Sequence, residues 1–192
     1  MGSSPTEGAS VRKRQAMKER KGLIEFAGRP ATVVGEDLRP GDKAPYFTVM
    51  DQDWNEASPL VETRGKVRII ASVTSLDTSV CDRETRKFNQ EASDLGSDIV
   101  IIVISMDLPE AQKRWCGDAG IDQVRVLSDS RYRDFGEKYA VQMKEPRMNR
   151  RAVFIVDEND IVRYAEYMAR IPDEPNYEEV LNQARTVLTS WE

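Results

Sequence analysis

Val67-Arg68-Ile69-Ile70-Ala71-Ser72-Val73 runs directly into Thr74-Ser75-Leu76-Asp77-Thr78-Ser79-Val80-Cys81. The first seven residues form a nearly continuous apolar run, as expected of a strand covered on both faces. The second stretch carries turn and capping residues, and from its end Cys81, Thr85, Phe88, Ala92 and Leu95 recur at helical spacing. A strand passing through a short loop into an amphipathic helix begins an α/β unit. Thr78 or Ser79 can cap that helix, predicted to reach about Leu95. Cys81 then falls in the first turn, facing unpaired backbone N–H groups and the positive end of the helix dipole. Both favour thiolate over thiol.

Outward from this unit the same signals repeat. Residues 99–104 read as a second buried strand, 108–119 as a helix with Pro109 in its first turn, 124–127 as a short strand and 132–139 as a short helix. Residues 152–156 and 161–167 flank Asp157-Glu158-Asn159-Asp160, a hairpin signal, and residues 176–188 close the chain as a helix. Upstream, 46–50 alternates like a half-buried strand. Residues 23–26 and 31–34 form a hairpin around Gly28-Arg29-Pro30, and Arg39-Pro40-Gly41-Asp42 marks a turn. The fold class expected is α/β with a central mixed sheet. The domain division expected is a basic, solvated tail over 1–22, a hairpin extension over 23–39 and the main domain over 40–190.

Composition narrows the function classes. The net charge of −5 gives no general case for nucleic-acid binding. Basic residues nevertheless concentrate at the start, where Arg12, Lys13, Arg14, Lys18, Arg20 and Lys21 face only Glu7 and Glu19. That segment has no apolar core of a signal peptide, and no later segment could span a bilayer, so a cytoplasmic protein without membrane partners is expected. The chain has two cysteines and no histidine. With Cys81 and Cys116 far apart and no imidazole available, neither a bound metal nor another bound cofactor is expected.

Two cysteines in such a chain suit redox chemistry better than a structural staple. Cys116 lies in Arg114-Trp115-Cys116-Gly117, near the end of the next predicted helix. Either thiol can be read as an ordinary buried hydrophobe. For Cys81 the first-turn position, with the Thr78 hydroxyl three residues earlier, argues for reactivity. For Cys116 the argument is mobility: Gly117 and Gly120 each weaken a helix interior by roughly 1 kcal/mol relative to alanine, so this segment should open locally. A link between the two would need Cα atoms about 4.4–6.8 Å apart. A domain of this size does not need that staple for stability, so a switching disulfide is the better reading.

The motifs Ser75-Leu76-Asp77-Thr78-Ser79-Val80-Cys81, Arg86-Lys87-Phe88-Asn89, Ser105-Met106-Asp107-Leu108-Pro109, Gln112-Lys113-Arg114-Trp115-Cys116-Gly117 and Arg151-Ala152-Val153 resemble, in order and spacing, the thiol peroxidase subfamily of peroxiredoxins. The resemblance covers about residues 23–188. It implies a thioredoxin-like fold with an N-terminal β-hairpin and an atypical two-cysteine peroxidase cycle on hydroperoxides, recycled by thioredoxin in a homodimer. By the same resemblance Cys81 matches the peroxidatic cysteine, Cys116 the resolving cysteine, and Thr78 and Arg151 the residues supporting thiolate and peroxide. Residue chemistry alone does not choose among Arg147, Arg150 and Arg151. The chain departs from the family at Thr74, where a proline normally shields the site. Thr74 lacks the fixed φ and brings a hydroxyl that needs a partner. Three rival classes stay open: a redox sensor or scaffold with weakened turnover, a dithiol reductase lacking the usual C-x-x-C, and a metal chaperone disfavoured by the missing histidines.

Overall fold

The computed structural model describes residues 17–190 of the chain. The basic segment before Met17, part of the expected tail, lies outside the described residues. The chain opens on a hairpin of β1 (Glu19–Phe26) and β2 (Arg29–Val34). Its turn uses Ala27 and Gly28, both at positive φ (51° and 73°), the pairing that matches the twist of two strands joined by two residues. Because β1 starts at Glu19, residues 19–22 are strand rather than tail. Lys18 and Arg20 are not simply solvated either, since they bind Glu36 and Asp37 at 2.7 and 2.6 Å.

The rest follows as β3 (Val49–Met50), β4 (Glu56–Ala57), α1 (Pro59–Glu62), β5 (Val67–Ser72), α2 (Ser79–Ala92), β6 (Ile99–Ser105), α3 (Pro109–Ala119), β7 (Arg125–Ser128) and α4 (Asp134–Lys138). After them come β8 (Gln142–Met143), β9 (Met148–Asn149), β10 (Ala152–Val156), β11 (Val162–Tyr167) and α5 (Tyr177–Thr189). Seven strands form the central sheet in the order β11-β10-β5-β6-β7-β3-β4. β5, β6 and β7 run parallel, while β10 pairs antiparallel with β5 and β3 antiparallel with β7. The sheet is therefore mixed, as expected of an α/β fold. A smaller sheet, β1-β2-β8-β9, holds the N-terminal hairpin.

β5 shows why its run is almost wholly apolar. Val67, Ile69, Ala71 and Val73 enter a cluster with Cys81 and Phe88 of α2, Cys116 of α3, and Val180, Leu181 and Ala184 of α5. Ile70 joins the opposite cluster with Phe135, Tyr139 and Phe154. Arg68, also fully buried, is held by Asp160 and by the carbonyl of Asp157 at 2.7 Å, which satisfies a charge that burial would otherwise penalise. Since β5, β6 and β7 are parallel, the loops leaving their carboxyl ends lie side by side. Those loops begin at Val73, Met106 and Asp129. This is where an open α/β sheet places its chemistry.

Several expectations need adjusting. The strand read over 46–50 is regular only at Val49–Met50, and the helix read to Leu95 ends at Ala92. Gly120 does not weaken a helix interior. It caps α3 at φ 66°, the left-handed conformation glycine adopts without strain, and leaves only Gly117 inside the helix.

Candidate active site

Cys81 occupies the first turn of α2 and is fully buried. Thr78 is the N-cap residue, in extended conformation (φ −87°, ψ 141°), but its side chain does not cap the helix. The hydroxyl instead donates to the carbonyl of Ser75 at 2.9 Å, which also accepts the Thr78 N–H at 3.0 Å. Thr78 is exposed at the mouth of the loop, and its oxygen keeps accepting capacity. Inside the helix, Thr85 donates to the Cys81 carbonyl at 2.9 Å, which fixes the turn from below.

Arg151, immediately before β10, is brought across the sheet to the sulfur: its Nη1 lies 3.4 Å from Cys81 Sγ. Its Nη2 donates to the Ile171 carbonyl at 3.2 Å, and Nη1 also binds Glu84. Arg147, by contrast, is exposed, and Arg150 faces another way. Arg150 binds Asp37 and the Ala140 carbonyl and stacks 4.3 Å from the Tyr167 ring, tying the hairpin segment to the main sheet. Tertiary contact therefore separates three arginines that the sequence left equivalent.

Glu84 is the residue the sequence reading missed. It lies three positions after Cys81 on the same inner face, fully buried. Burial pushes its carboxyl up to about 7 against the pull of Arg151. Arg151 is itself raised: burial opposes its charge, but Glu84 and Cys81 together outweigh that cost. One buried guanidinium thus serves two candidate anions, a sulfur and a carboxylate. A charged residue on the apolar face of the predicted helix was the available signal.

Cys116 belongs to the same apolar cluster as Cys81, and both are free thiols. It accepts a bond from Gln52 Nε2 at 3.4 Å. Burial pushes its thiol up, with Gln52 pulling the other way, so in place it is a poor nucleophile. The turn containing Gln52 grips the outer face of α3 twice more, through Lys113–Asp53 at 2.6 Å and Trp54–Glu110 at 2.6 Å. Thr74 is buried at the start of the active loop, and its hydroxyl has no partner among the described residues. No group of three or more metal-ligating side chains is found among the described residues. Nor is any described helix long and apolar enough to cross a membrane.

A fully buried cysteine at a helix N-terminus, addressed by a buried arginine and sharing a cluster with a second free thiol, defines a thiol-based redox protein of thioredoxin-like fold. The Redoxin family pattern matches residues 39–181. A thiol peroxidase of Bacillus subtilis (strain 168) is 48% identical over 165 residues, covering 86% of this chain and 98% of that protein. One from Halalkalibacterium halodurans is 45% identical over 165 residues, with the same shares. Among solved structures, a peroxiredoxin-like protein from Aquifex aeolicus superposes with a TM-score of 0.77 at 39% identity, covering 90% of this chain and 99% of its own. A thiol peroxidase from Chromobacterium violaceum reaches 0.74 at 23% identity, covering 87% and 97%, and supports the fold alone. The chain belongs to the Redoxin family, within it to the thiol peroxidase subfamily of the peroxiredoxins. It is a thiol-dependent peroxidase.

Proposed function

We propose that Cys81 is the peroxidatic cysteine and Cys116 the resolving cysteine of an intramolecular cycle. The observation that carries this reading is the 3.4 Å approach of Arg151 to the Cys81 sulfur at the head of α2. A charge-assisted donor there supports negative charge on sulfur. The Cys81 thiolate attacks the distal oxygen of a hydroperoxide. The O–O bond breaks, the sulfur takes that oxygen as sulfenic acid, and the other oxygen leaves with the electron pair, to be protonated to water or alcohol. Arg151 keeps an N–H, at Nε, without a partner among the described residues, so a donor is left for peroxide oxygen. Thr78, exposed at the loop mouth, supplies a lone pair for the peroxide O–H.

Cys116 then displaces water from the sulfenic acid, forming the Cys81–Cys116 disulfide. An external dithiol reduces it by exchange, returning both thiols. The resemblance supplies the rest of the reading: hydrogen peroxide and organic hydroperoxides as substrates, thioredoxin as the reductant, a cytoplasmic homodimer, and a peroxidase domain over 40–190 with the hairpin as an extension. The test is thioredoxin-coupled peroxide turnover. Cys81→Ser should abolish it. Cys116→Ser should form the sulfenic acid at an undiminished rate, then stall or overoxidise. Full turnover by Cys81→Ser would remove the assignment.

A further inference from the structure

One motif singled out in the sequence has no part in the chemistry above. Asp107 leaves the end of β6 just before α3. Its carboxylate accepts the Ser75 hydroxyl at 2.8 Å, the Leu76 backbone N–H at 2.8 Å and the Ser105 hydroxyl at 2.7 Å. Each partner leads somewhere. The Ser75 carbonyl holds both the N–H and the hydroxyl of Thr78, the cap residue of the Cys81 helix. The Ser105 hydroxyl accepts Gln112 Nε2 at 3.0 Å, and the same amide donates to the Leu127 carbonyl at 2.9 Å. Gln112 sits on α3 one turn before Cys116. A continuous chain of hydrogen bonds therefore runs from the loop that seats Cys81 to the helix that carries Cys116, with Asp107 as its one carboxylate.

We propose that Asp107 is a positioning residue that holds the Cys81 loop and the Cys116 helix in the arrangement competent for peroxide, and that its bonds yield when the two sulfurs join. This rests on the two-cysteine reading above. The two steps place opposite demands on these segments. Peroxide attack needs Thr78, Cys81 and Arg151 fixed relative to one another, because small misplacements of reacting groups are expensive in rate. Disulfide formation needs the two sulfurs, free in this arrangement, to reach bonding geometry with their Cα atoms about 4.4–6.8 Å apart, and a tie between their two segments resists that rearrangement. Loosening the tie slows the first step and hastens the second. Overoxidation, which competes with the second step, declines.

The experiment uses Asp107→Ala, Asp107→Asn and Ser75→Ala. Diamide, which takes two electrons and two protons from a pair of thiols, measures Cys81–Cys116 cross-linking with no peroxide chemistry involved. Stopped-flow fluorescence measures the peroxide step separately. Asp107→Ala should cross-link several-fold faster than the unmodified chain and react with peroxide about ten- to a hundred-fold slower, in line with the cost of misplacing a reacting group. Asp107→Asn keeps on its carbonyl oxygen the acceptor shared by the Leu76 N–H and the Ser105 hydroxyl, while the Ser75 hydroxyl turns to accept its amide, so both rates should return to within about threefold, the effect of a rearranged network. Ser75→Ala, which loses the bond to Asp107 and the longer one from the Asp77 N–H but leaves the carboxylate its other partners, should fall between and serves as the second variant if the alanine variant at 107 does not fold. Cross-linking by Asp107→Ala and Ser75→Ala at or below the unmodified rate would overturn the proposal. Failure of peroxide to oxidise Cys81 in the unmodified chain, with the diamide ranking intact, would overturn the peroxidatic assignment and leave the tie standing.

Discussion

Thr74 is buried with a hydroxyl that finds no partner among the described residues, where the family resemblance led to proline. An unpaired buried hydroxyl costs about 1–3 kcal/mol. Thr74→Val keeps the shape and removes the group, so urea unfolding should show a gain of about 1 kcal/mol. A loss of stability would mean the hydroxyl is bonded in solution. Glu84 makes a second residue-scale prediction. Below its value of about 7 it is neutral and leaves Arg151 to the sulfur; above, it is anionic and draws on the same cation. The ratio of peroxide rates for the unmodified chain over Glu84→Gln should therefore fall as pH rises through about 7 and level off beyond. A pH-independent ratio would remove Glu84 from the site. Cys81 was legible in the sequence because a first-turn cysteine is a local feature. Arg151 came only through resemblance, and Glu84 not at all, since which buried charges meet is decided by strands distant in sequence.

Among the elements, α3 and α4 carry the sharpest tests. Gly117 lies inside α3, and a β-carbon there would meet nothing within 4 Å. Gly117→Ala should stabilise the protein by about 0.5–1 kcal/mol and slow disulfide formation by making α3 harder to open. Unchanged cross-linking kinetics would show that the movement comes from α2 instead. Asp129 holds the start of α4, accepting the N–H groups of Phe135 at 3.1 Å and Gly136 at 2.8 Å. Burial pushes it from 3.8 up to about 7. Between those values the folded state keeps a proton that the unfolded state has released, so stability falls as pH rises through that window and is flat above it. Asp129→Asn should flatten the decline in unfolding free energy between pH 4 and 7 relative to the unmodified chain. An equal slope would contradict the assignment. Elements with several turns or a long apolar run were legible. β4, β8 and β9, of two residues each, and the four-residue α1 were not. They are too short for any period to register and exist because neighbouring strands offer them partners.

At the scale of the whole molecule, the mixed sheet followed from the order of its signals, and the parallel trio β5-β6-β7 gathers the Cys81 loop, Asp107 and Asp129 at one end. What linear reading could not supply was the closeness of Cys81, Arg151 and Glu84, which depends on β10 pairing beside β5. The two thiols share one apolar cluster yet stand unlinked, so oxidation should loosen a region that reduction keeps packed. Hydrogen exchange in α3 and the 74–78 loop should rise on oxidation while β5, β6 and β10 stay protected; uniform protection would argue against a switching link. Everything rests on a single sulfur surrendering electrons to peroxide ahead of its neighbour. Rapid quench after one equivalent of hydrogen peroxide, with trapping of sulfenic acid in Cys116→Ser and peptide mass analysis, asks this directly. The adduct should sit on Cys81, with the unmodified chain yielding a Cys81–Cys116 disulfide. Two persistently free thiols, or turnover surviving Cys81→Ser, would contradict it.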